Sequence, residues 1–390
     1  MTTSSRKHSK IDYNLVLIVF IMFLFSCIAI ASAQTSDQYG ENFLVKQIVW
    51  YVISIFLVAF VIAFDSEQLK KLSWYLYGFG IFLLGFLLVA PSQIAPVING
   101  AKSWYIIPGL GSIQPSEFVK VFLILALARL IADHHEKYEY KTIKTDLWLF
   151  LKMAAATGAP LLLIMQQPDL GTSLVLMAIL FGMYVIAGIS WKILTFVFGM
   201  GAAFAGLIFY LVFWRPEILE QYLGVKEYQF GRIYSWIDPY NFASSSGYQL
   251  IRSLLAIGSG KTAGKGFGNR EVYLPEGHTD FIFSVVGEEF GFIGASILIS
   301  LFFILIYQLT KIGMETKIDF NVYICAGVIS MITFHVFQNV GMTIGILPIT
   351  GIPLPFISYG GSSLMGNMLA IGLIFSIRFH QKKYMFADDE

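Results

Sequence analysis

The first candidate for chemistry is an aspartate at the junction of a polar loop and an apolar run. The stretch Leu274–Phe292 reads LPEGHTDFIFSVVGEEFGF, and Asp280 stands directly before three apolar residues. A carboxylate at such a junction is partly desolvated but can still ionise, so Asp280 could act as a general base. A lone aspartate at a helix start more often only caps the helix, and this alternative remains open.

A second candidate is an acid–base pair in the string QPSEFVK (Gln114–Lys120). Lys120 follows Glu117 by three residues, so both side chains lie on one face of a predicted membrane helix. Ionisable residues within a membrane usually face a cavity or each other. Two interpretations have equal weight: a structural ion pair, or a phosphate-binding lysine oriented by Glu117.

These candidates belong to a chain with the composition of an all-α polytopic integral membrane protein. Of its 390 residues, 56% are hydrophobic and 13% are charged, against about 25% charged in soluble domains. About ten apolar segments are long enough to span a bilayer. They are predicted near Tyr13–Ser32, Val45–Phe64, Leu72–Ala90, Ser116–Ala132, Leu147–Met165, Thr172–Ile189, Trp191–Phe213, Asp280–Leu309, Phe320–Ile344 and Gly361–Phe379. The first is too long for an ordinary signal peptide and is interpreted as an uncleaved span.

The distribution of basic residues predicts the orientation. Alternate short loops contain Lys70, Lys71, Lys137, Lys141, Lys144, Lys192, Lys311 and Lys317. Because cytoplasmic loops are enriched in Lys and Arg, both termini are predicted in the cytoplasm, with the chain in the cell (inner) membrane. The formal net charge of +1 gives no indication of nucleic-acid binding.

In this topology, every even-numbered span begins at the outer face with a polar motif. These motifs contain Glu117, Asp169, His278 with Asp280, and Ser358 with Ser362. Helix N-termini that converge form a site for an anion, so a phosphate-bearing lipid is expected to contact Glu117, Lys120, Asp169, His278, Ser358 and Ser362. For His278, a solvated loop residue is the favoured alternative. Neither the isolated Cys27 and Cys325 nor any other ligand cluster predicts a metal site.

The longest loop, residues 214–279, is predicted to be extracellular and functional. Within it, Gly247–Ile257 is predicted to form an amphipathic helix on the membrane surface, with Leu250, Leu254 and Leu255 on the apolar face and Ser253 on the polar face.

The string Gly258–Thr262 resembles the end of a nucleotide P-loop but lacks its first glycine and a preceding strand, so ATP binding is rejected. Glu288 and Glu289 point away from the Asp280 face and are expected to have a structural inter-helix role.

Several strings resemble the SEDS family of bacterial shape, division and sporulation proteins (RodA, FtsW and SpoVE). They are GAKSW (Gly100–Trp104), QPSEFVK, QQPDLGTS (Gln166–Ser173), GYQLIRSLLAIGSG, LPEGHTDFIF and ISYGGSS (Ile357–Ser363). QPDLGTS and LPITGIPLP (Leu347–Pro355) are most similar to the elongation member, RodA. The resemblance spans nearly the whole chain, in the family's order. It implies one ten-span domain over residues 1–390 that polymerises lipid II at the outer face, with Asp280 essential for catalysis. It also implies a class B penicillin-binding protein as transpeptidase partner and assembly with the elongation machinery.

The expected reaction is glycosyl transfer from an undecaprenyl-pyrophosphate-linked glycan to lipid II. Asp280 would be the general base, and Lys120 with the helix N-termini would stabilise the departing pyrophosphate. The residues indicate no particular cofactor, and a divalent cation, Mg²⁺ or Mn²⁺, could be held together with the substrate pyrophosphate. The alternatives are a lipid II flippase, which would place its polar site near the membrane midplane, and a scaffold, which would need neither Asp280 nor Lys120.

Overall fold

The computed structural model describes residues 11–34, 42–98, 100–107, 111–215, 227–245 and 247–381, without the side chains of residues 213 and 227–230. Both chain ends and residues 216–226 of the long loop therefore lie outside the described residues. The helices are α1 (Tyr13–Ala33), α2 (Phe43–Ile62), α3 (Ser66–Val89), α4 (Pro115–Lys137), α5 (Ile143–Met165), α6 (Leu170–Ile186), α7 (Trp191–Trp214), α8 (Glu227–Ile237), α9 (Tyr248–Ser259), α10 (Ile282–Glu315), α11 (Asp319–Thr343) and α12 (Gly361–Phe379). An antiparallel hairpin of β1 (Tyr105–Ile107) and β2 (Gly111–Ile113) precedes α4, with Ile106 opposite Ser112.

The predicted all-α membrane fold is confirmed, with a helix at each of the ten predicted spans. Eight of the described helices are long and apolar enough to cross a membrane. The other two are α6, which has 17 residues, and α4, which contains Glu117, Lys120 and Arg129 within its apolar run. The number of ten spans and their orientation remain predictions.

Helix α4, which contains the ionisable residues Glu117 and Lys120, lies at the centre of the bundle. Its neighbours are α3, α5, α6, α11 and α12, and Val119, Lys120 and Ile124 are all buried. Near Glu117, α12 packs very closely, because a Cβ atom at Gly366 would lie 2.8 Å from the Glu117 carbonyl oxygen. The position of α4 lets its charges be buried among partners instead of facing lipid.

The segment between α11 and α12 folds into the bundle. The Ser26 hydroxyl of α1 donates to the Ile357 carbonyl (2.8 Å), and the Gln47 amide of α2 donates to the Ser358 carbonyl (3.2 Å). Ser26 lies two helical turns, about 10 Å, before the end of α1. Side chains therefore satisfy the irregular backbone that immediately precedes α12, as a membrane environment requires.

A break divides α10 at Gly291, where φ is 62° and ψ is −159°. The glycine-rich loop after α9 fills the break, because the amides of Phe292 and Ile293 donate to the carbonyls of Lys261 (2.9 Å) and Thr262 (3.2 Å). A Cβ atom at Gly264 would lie only 2.0 Å from the Glu289 carbonyl oxygen. These glycines thus permit close docking of the loop on a broken helix.

Glu288 and Glu289 attach this loop to α10. The Lys265 ammonium donates to Glu288 (2.8 Å), and Glu289 accepts a hydrogen bond from Ser32 of α1 and lies 3.4 Å from Arg270 Nε. The structural role expected for the two glutamates agrees with these contacts, although most of their partners are loop residues and only Ser32 belongs to another helix.

Helix α9 is present where the sequence predicts an amphipathic helix, and its location on the membrane surface stays a prediction. Leu250, Ser253 and Ala256 of α9 are buried, whereas Leu255 is 53% exposed. Ser253 donates to the Thr343 carbonyl (2.7 Å) and lies 2.6 Å from the Ser284 hydroxyl. Helix α9 therefore packs on α10 and the end of α11 through a small and polar face, because a serine bonded on both sides can be buried at little cost.

Candidate functional site

Asp280 lies in a turn before α10 and does not cap the helix. The helix begins at Ile282, with Phe281 at the cap position and no side-chain cap bond. The amides of Thr279 and Phe281 both donate to the Glu276 carbonyl, at 3.1 and 3.2 Å. The capping alternative is therefore wrong, and the Asp280 carboxylate is not occupied by the backbone of its own helix.

Three hydrogen bonds from neighbouring elements fix the backbone of residues 278–280. The buried Asn339 amide of α11 donates to the Asp280 carbonyl (2.8 Å), and Ser358 donates to the Thr279 carbonyl (2.7 Å). The Tyr359 amide donates to the His278 carbonyl (2.9 Å). Asp280 is thus positioned by its main chain, which leaves its side chain available.

The surroundings of Asp280 suit a general base. Burial, as the largest cause, and the negative charges of Glu276 and Asp169 together raise the pKa of its carboxyl to about 7, against the opposing charge of Arg232. A base with a pKa near the working pH combines sufficient ionisation with sufficient proton affinity. Gly351 leaves room for the carboxylate, because a Cβ atom there would lie 3.3 Å from Asp280 Oδ2.

Glu117 and Lys120 form a buried cluster with a residue that the sequence analysis missed. Lys120 Nζ lies 2.7 Å from Glu117 Oε2 and 3.1 Å from His335 Nε2 of α11, and all three residues are at most 4% exposed. His335 Nδ1 lies 2.7 Å from the Met331 carbonyl, so Nδ1 holds the proton and Nε2 accepts from the lysine. The ammonium is therefore oriented from two sides.

Helix α11 connects this cluster to Asp280. His335 and Asn339 are four residues apart and thus lie on one face, about 6 Å apart along the axis. Their side chains contact Lys120 Nζ and the Asp280 carbonyl, respectively. The Lys120 ammonium and the main chain of Asp280 are therefore both held by α11, at positions about one helical turn apart along its axis.

The N-termini of α4, α6 and α12 meet through Gln114. Its side chain donates to Asp169 Oδ2 (2.8 Å), and its main-chain amide donates to the Ser362 hydroxyl (2.9 Å). Asp169 also caps α6 by accepting from the Thr172 amide (2.9 Å). The N-termini of these three helices therefore converge, as expected from the sequence. The role of these residues in anion binding stays a prediction.

Segment 350–352 links this junction to Asp280. A Cβ atom at Gly171 would lie 2.9 Å from Ile352 Cγ1 and 3.2 Å from the Thr350 carbonyl oxygen. Between these two positions, Gly351 borders the Asp280 carboxylate. The start of α6 and the Asp280 carboxylate therefore both lie against this short segment.

Three of the predicted binding residues have other contacts. His278 is buried and stacked on Phe43, with ring centroids 4.2 Å apart, so the expectation of a solvated loop histidine was wrong. Burial lowers the pKa of His278, and the charge of Glu276 opposes the decrease. Ser358 accepts from the Leu354 amide while it donates to Thr279, and Ser362 bonds Gln114 and Ser112. These side chains build the frame of the site.

Two buried oxygens beside the cluster have no hydrogen-bond partner within the described part of the chain. They are Ser116 Oγ, next to Glu117, and Asn339 Oδ1. Buried polar atoms normally have partners, so these atoms fit a site that receives water or a polar ligand. No group of three His, Cys, Asp or Glu side chains among the described residues is arranged to hold a metal ion.

His335, Asn339 and Gly351 are the residues that sequence reasoning missed. His335 and Asn339 are polar residues at helical spacing in the apolar run of α11, a signal that could have been read as a buried functional face. Gly351 gives no such signal, because its importance depends on the position of a distant carboxylate.

The chain is similar in sequence to known proteins of one family. Residues 10–383 match the family model FTSW_RODA_SPOVE, described as cell cycle protein. The chain is 35% identical over 387 residues to the probable peptidoglycan glycosyltransferase FtsW of Wigglesworthia glossinidia brevipalpis, covering 95% of each chain.

Two solved structures are also similar. One comes from work on the structural coordination of polymerization and crosslinking by a peptidoglycan synthase complex; it matches with a TM-score of 0.77 and 26% identity, covering 95% of this chain and 99% of that one. The other is the rod shape determining protein RodA of Thermus thermophilus, with a TM-score of 0.68 and 25% identity over 96% and 98% of the two chains. The chain described here belongs to the FtsW/RodA/SpoVE family.

Proposed function

We propose that this protein is a peptidoglycan glycosyltransferase that polymerises lipid II into glycan strands at the outer face of the bacterial cell membrane. The observation that supports this most directly is Asp280: a carboxylate with a pKa of about 7 that is held by its main chain, and whose side chain accepts no hydrogen bond from the described residues. Its family relationship adds the substrate class, because the relative from Wigglesworthia is named for this activity.

In the proposed reaction, Asp280 removes the proton from the 4-hydroxyl of the N-acetylglucosamine of lipid II. The hydroxyl oxygen attacks the anomeric carbon of the donor glycan, and the bond from that carbon to undecaprenyl pyrophosphate breaks. The departing pyrophosphate takes the bonding electrons, and the proton remains on Asp280 until it is released to water. Each cycle therefore lengthens the glycan by one lipid II unit.

Lys120 and the converging helix N-termini stabilise the pyrophosphate in this proposal. Lys120 makes contacts with Glu117 and His335, and an ammonium can donate three hydrogen bonds, so one remains for a phosphate oxygen. The N-termini of α4, α6 and α12 add partial positive charge. A Mg²⁺ or Mn²⁺ ion, if it takes part, would be held mainly by the pyrophosphate, because the nearby Asp169 is already bonded to Gln114 and Thr172.

The proposed setting is the elongation machinery, with a class B penicillin-binding protein as transpeptidase partner. The protein is a multi-pass membrane protein; we assign it to the cell (inner) membrane with both termini in the cytoplasm. The structural similarity to a chain of a peptidoglycan synthase complex supports a partner of this kind. The elongation setting rests on the resemblance of QPDLGTS and LPITGIPLP to RodA, because the chain is similar both to RodA and to proteins named FtsW.

Polymerisation of purified lipid II in detergent tests the function against a lipid flippase. A micelle has no separate compartments, so a transporter can produce no product there. We expect glycan strands from the wild-type chain and none from heat-inactivated protein. Absence of strands from well-folded wild-type protein, together with lipid II movement across a vesicle membrane, would favour the flippase.

A further inference from the structure

A groove with a volume of about 540 Å³ lies between α3, α4 and α5, at the end of the bundle opposite Asp280. Its size is within the range of small-molecule sites, about 300–1,000 Å³. The wall nearer the helix ends contains Lys137 of α4 and Lys152 of α5, and the deeper wall contains Leu130, Ala155 and Ala156. The groove is therefore basic at its mouth and apolar in its body.

The two lysines have no acidic partner among the residues that the structure describes. Lys152 Nζ lies 5.0 Å from the Trp148 ring centroid, and Lys137 Nζ lies 5.6 Å from that of Tyr138. The acidic residue that lines the groove, Asp133, is already paired with Lys70 at 2.7 Å. It also contacts Arg129, so its charge does not neutralise the lysines. The mouth of the groove consequently has a net positive charge.

The deeper part of the groove is apolar and suited to hydrocarbon. The Tyr77 hydroxyl donates to the Ala156 carbonyl (2.7 Å), which is one turn farther into the bundle than Lys152. Trp74, 39% exposed, packs edge-on against Tyr77 with centroids 5.6 Å apart. Aromatic residues at this depth are typical of the boundary between headgroups and acyl chains.

We propose that this groove binds one anionic phospholipid of the leaflet opposite the catalytic site. Its phosphate would contact Lys137 and Lys152, and the upper part of an acyl chain would lie along Leu130, Ala155 and Ala156. Basic pockets between transmembrane helices are a recognised way to bind acidic headgroups. A free phosphate would leave the apolar body of the groove uncovered, so a lipid is the better match. The site is distinct from the proposed transferase site and does not depend on its activity.

Native mass spectrometry of the detergent-purified full chain tests this site. Phosphatidylglycerol should bind more tightly than phosphatidylcholine with the same acyl chains. The double variant Lys137→Gln/Lys152→Gln should weaken phosphatidylglycerol binding about thirtyfold. The control Lys144→Gln/Lys192→Gln removes the same charge from two exposed lysines outside the groove and should leave the affinity unchanged.

A second variant tests the apolar body. Ala155→Trp fills the groove without a change in charge and should also reduce phosphatidylglycerol binding at least tenfold. Glycerol 3-phosphate should not compete with the lipid. The proposal is overturned if phosphatidylcholine binds equally well, if the two double variants behave alike, if Ala155→Trp has no effect, or if glycerol 3-phosphate displaces the lipid.

Discussion

At the scale of single residues, the central feature is Asp280, which is held in place by hydrogen bonds to the main chain and not by bonds to its carboxylate. The Asn339 amide bonds the Asp280 carbonyl, and burial raises the pKa of the Asp280 carboxyl to about 7. Both properties favour proton transfer, because the side chain is free to move onto a substrate hydroxyl and its affinity for a proton matches neutral pH.

The raised pKa predicts the pH dependence of polymerisation. A base must be deprotonated to act, so the rate should fall below an apparent pKa near 7 and level off above it. Glu276 raises the pKa of Asp280, so Glu276→Gln should lower it and move the acidic limb to lower pH. Rate profiles of both proteins between pH 5 and 9 measure the shift; a limb that moves to higher pH would contradict the assignment.

Lys120 can be tested separately from its structural partner. Lys120→Met leaves the buried Glu117 without its cation, which should cost about 3–5 kcal/mol of stability. Adding Glu117→Gln removes the unpaired charge and should restore thermal stability, but not polymerisation. Lys120→Arg should recover activity poorly, because a guanidinium does not fit the narrow space between Glu117 and His335. A stable and fully active double variant would mean that the pair is only structural.

At the scale of elements, the site depends on an irregular segment folded into a helical bundle. Residues 350–352 lie between the start of α6 and Asp280, and the same segment continues to Ser358, which holds Thr279. A loop over the surface could not make both contacts. The bonds from Ser26 and Gln47 that hold this segment thus indirectly set the position of the catalytic turn.

Gly351 gives a sharp test of this segment. Its φ of 74° favours glycine, and an added Cβ atom would lie 3.3 Å from Asp280 Oδ2. Gly351→Ala should cost about 1–2 kcal/mol of stability and should also reduce polymerisation strongly. Gly345→Ala is the matched control, because its φ is 78° while its nearest neighbours are leucine side chains at 3.8 Å. Equal activity losses in both variants would show that only backbone strain matters.

The elements also explain what the sequence could and could not predict. The helices, Asp280 and the Glu117–Lys120 pair were found because long apolar runs and the ionisable residues within them are visible in one dimension. His335, Asn339 and Gly351 were missed because their roles depend on which helices pack together. The same reason explains why the sequence does not predict the burial of Ser253 in α9, since its partners Ser284 and Thr343 are distant in sequence.

At the scale of the whole molecule, the proposal requires Asp280 and the long loop to lie outside the cytoplasm. Impermeant thiol labelling of intact cells tests this orientation in a background without Cys27 and Cys325. Tyr240→Cys, in the long loop, should react, and Tyr140→Cys, between α4 and α5, should not; the two tyrosines are 74% and 81% exposed. Labelling at position 140 alone would reverse the orientation and exclude an outer-face site.

The most direct measurement of the central claim is the polymerisation rate of purified Asp280→Asn. Asparagine preserves size and the main-chain bonds that hold the turn, but it cannot take the proton. Because general-base catalysis contributes about a hundredfold to ten-thousandfold, glycan synthesis should fall by that factor, while lipid II binding remains. Folding should also be preserved. The pKa of Asp280 is raised from 3.8 to about 7 in the folded state, so wild-type stability falls as the pH rises between these values, and the variant should be at least as stable at pH 8. Asp280→Glu, with a displaced carboxylate, should also be impaired. Glycan strands made by well-folded Asp280→Asn near the wild-type rate would contradict the account.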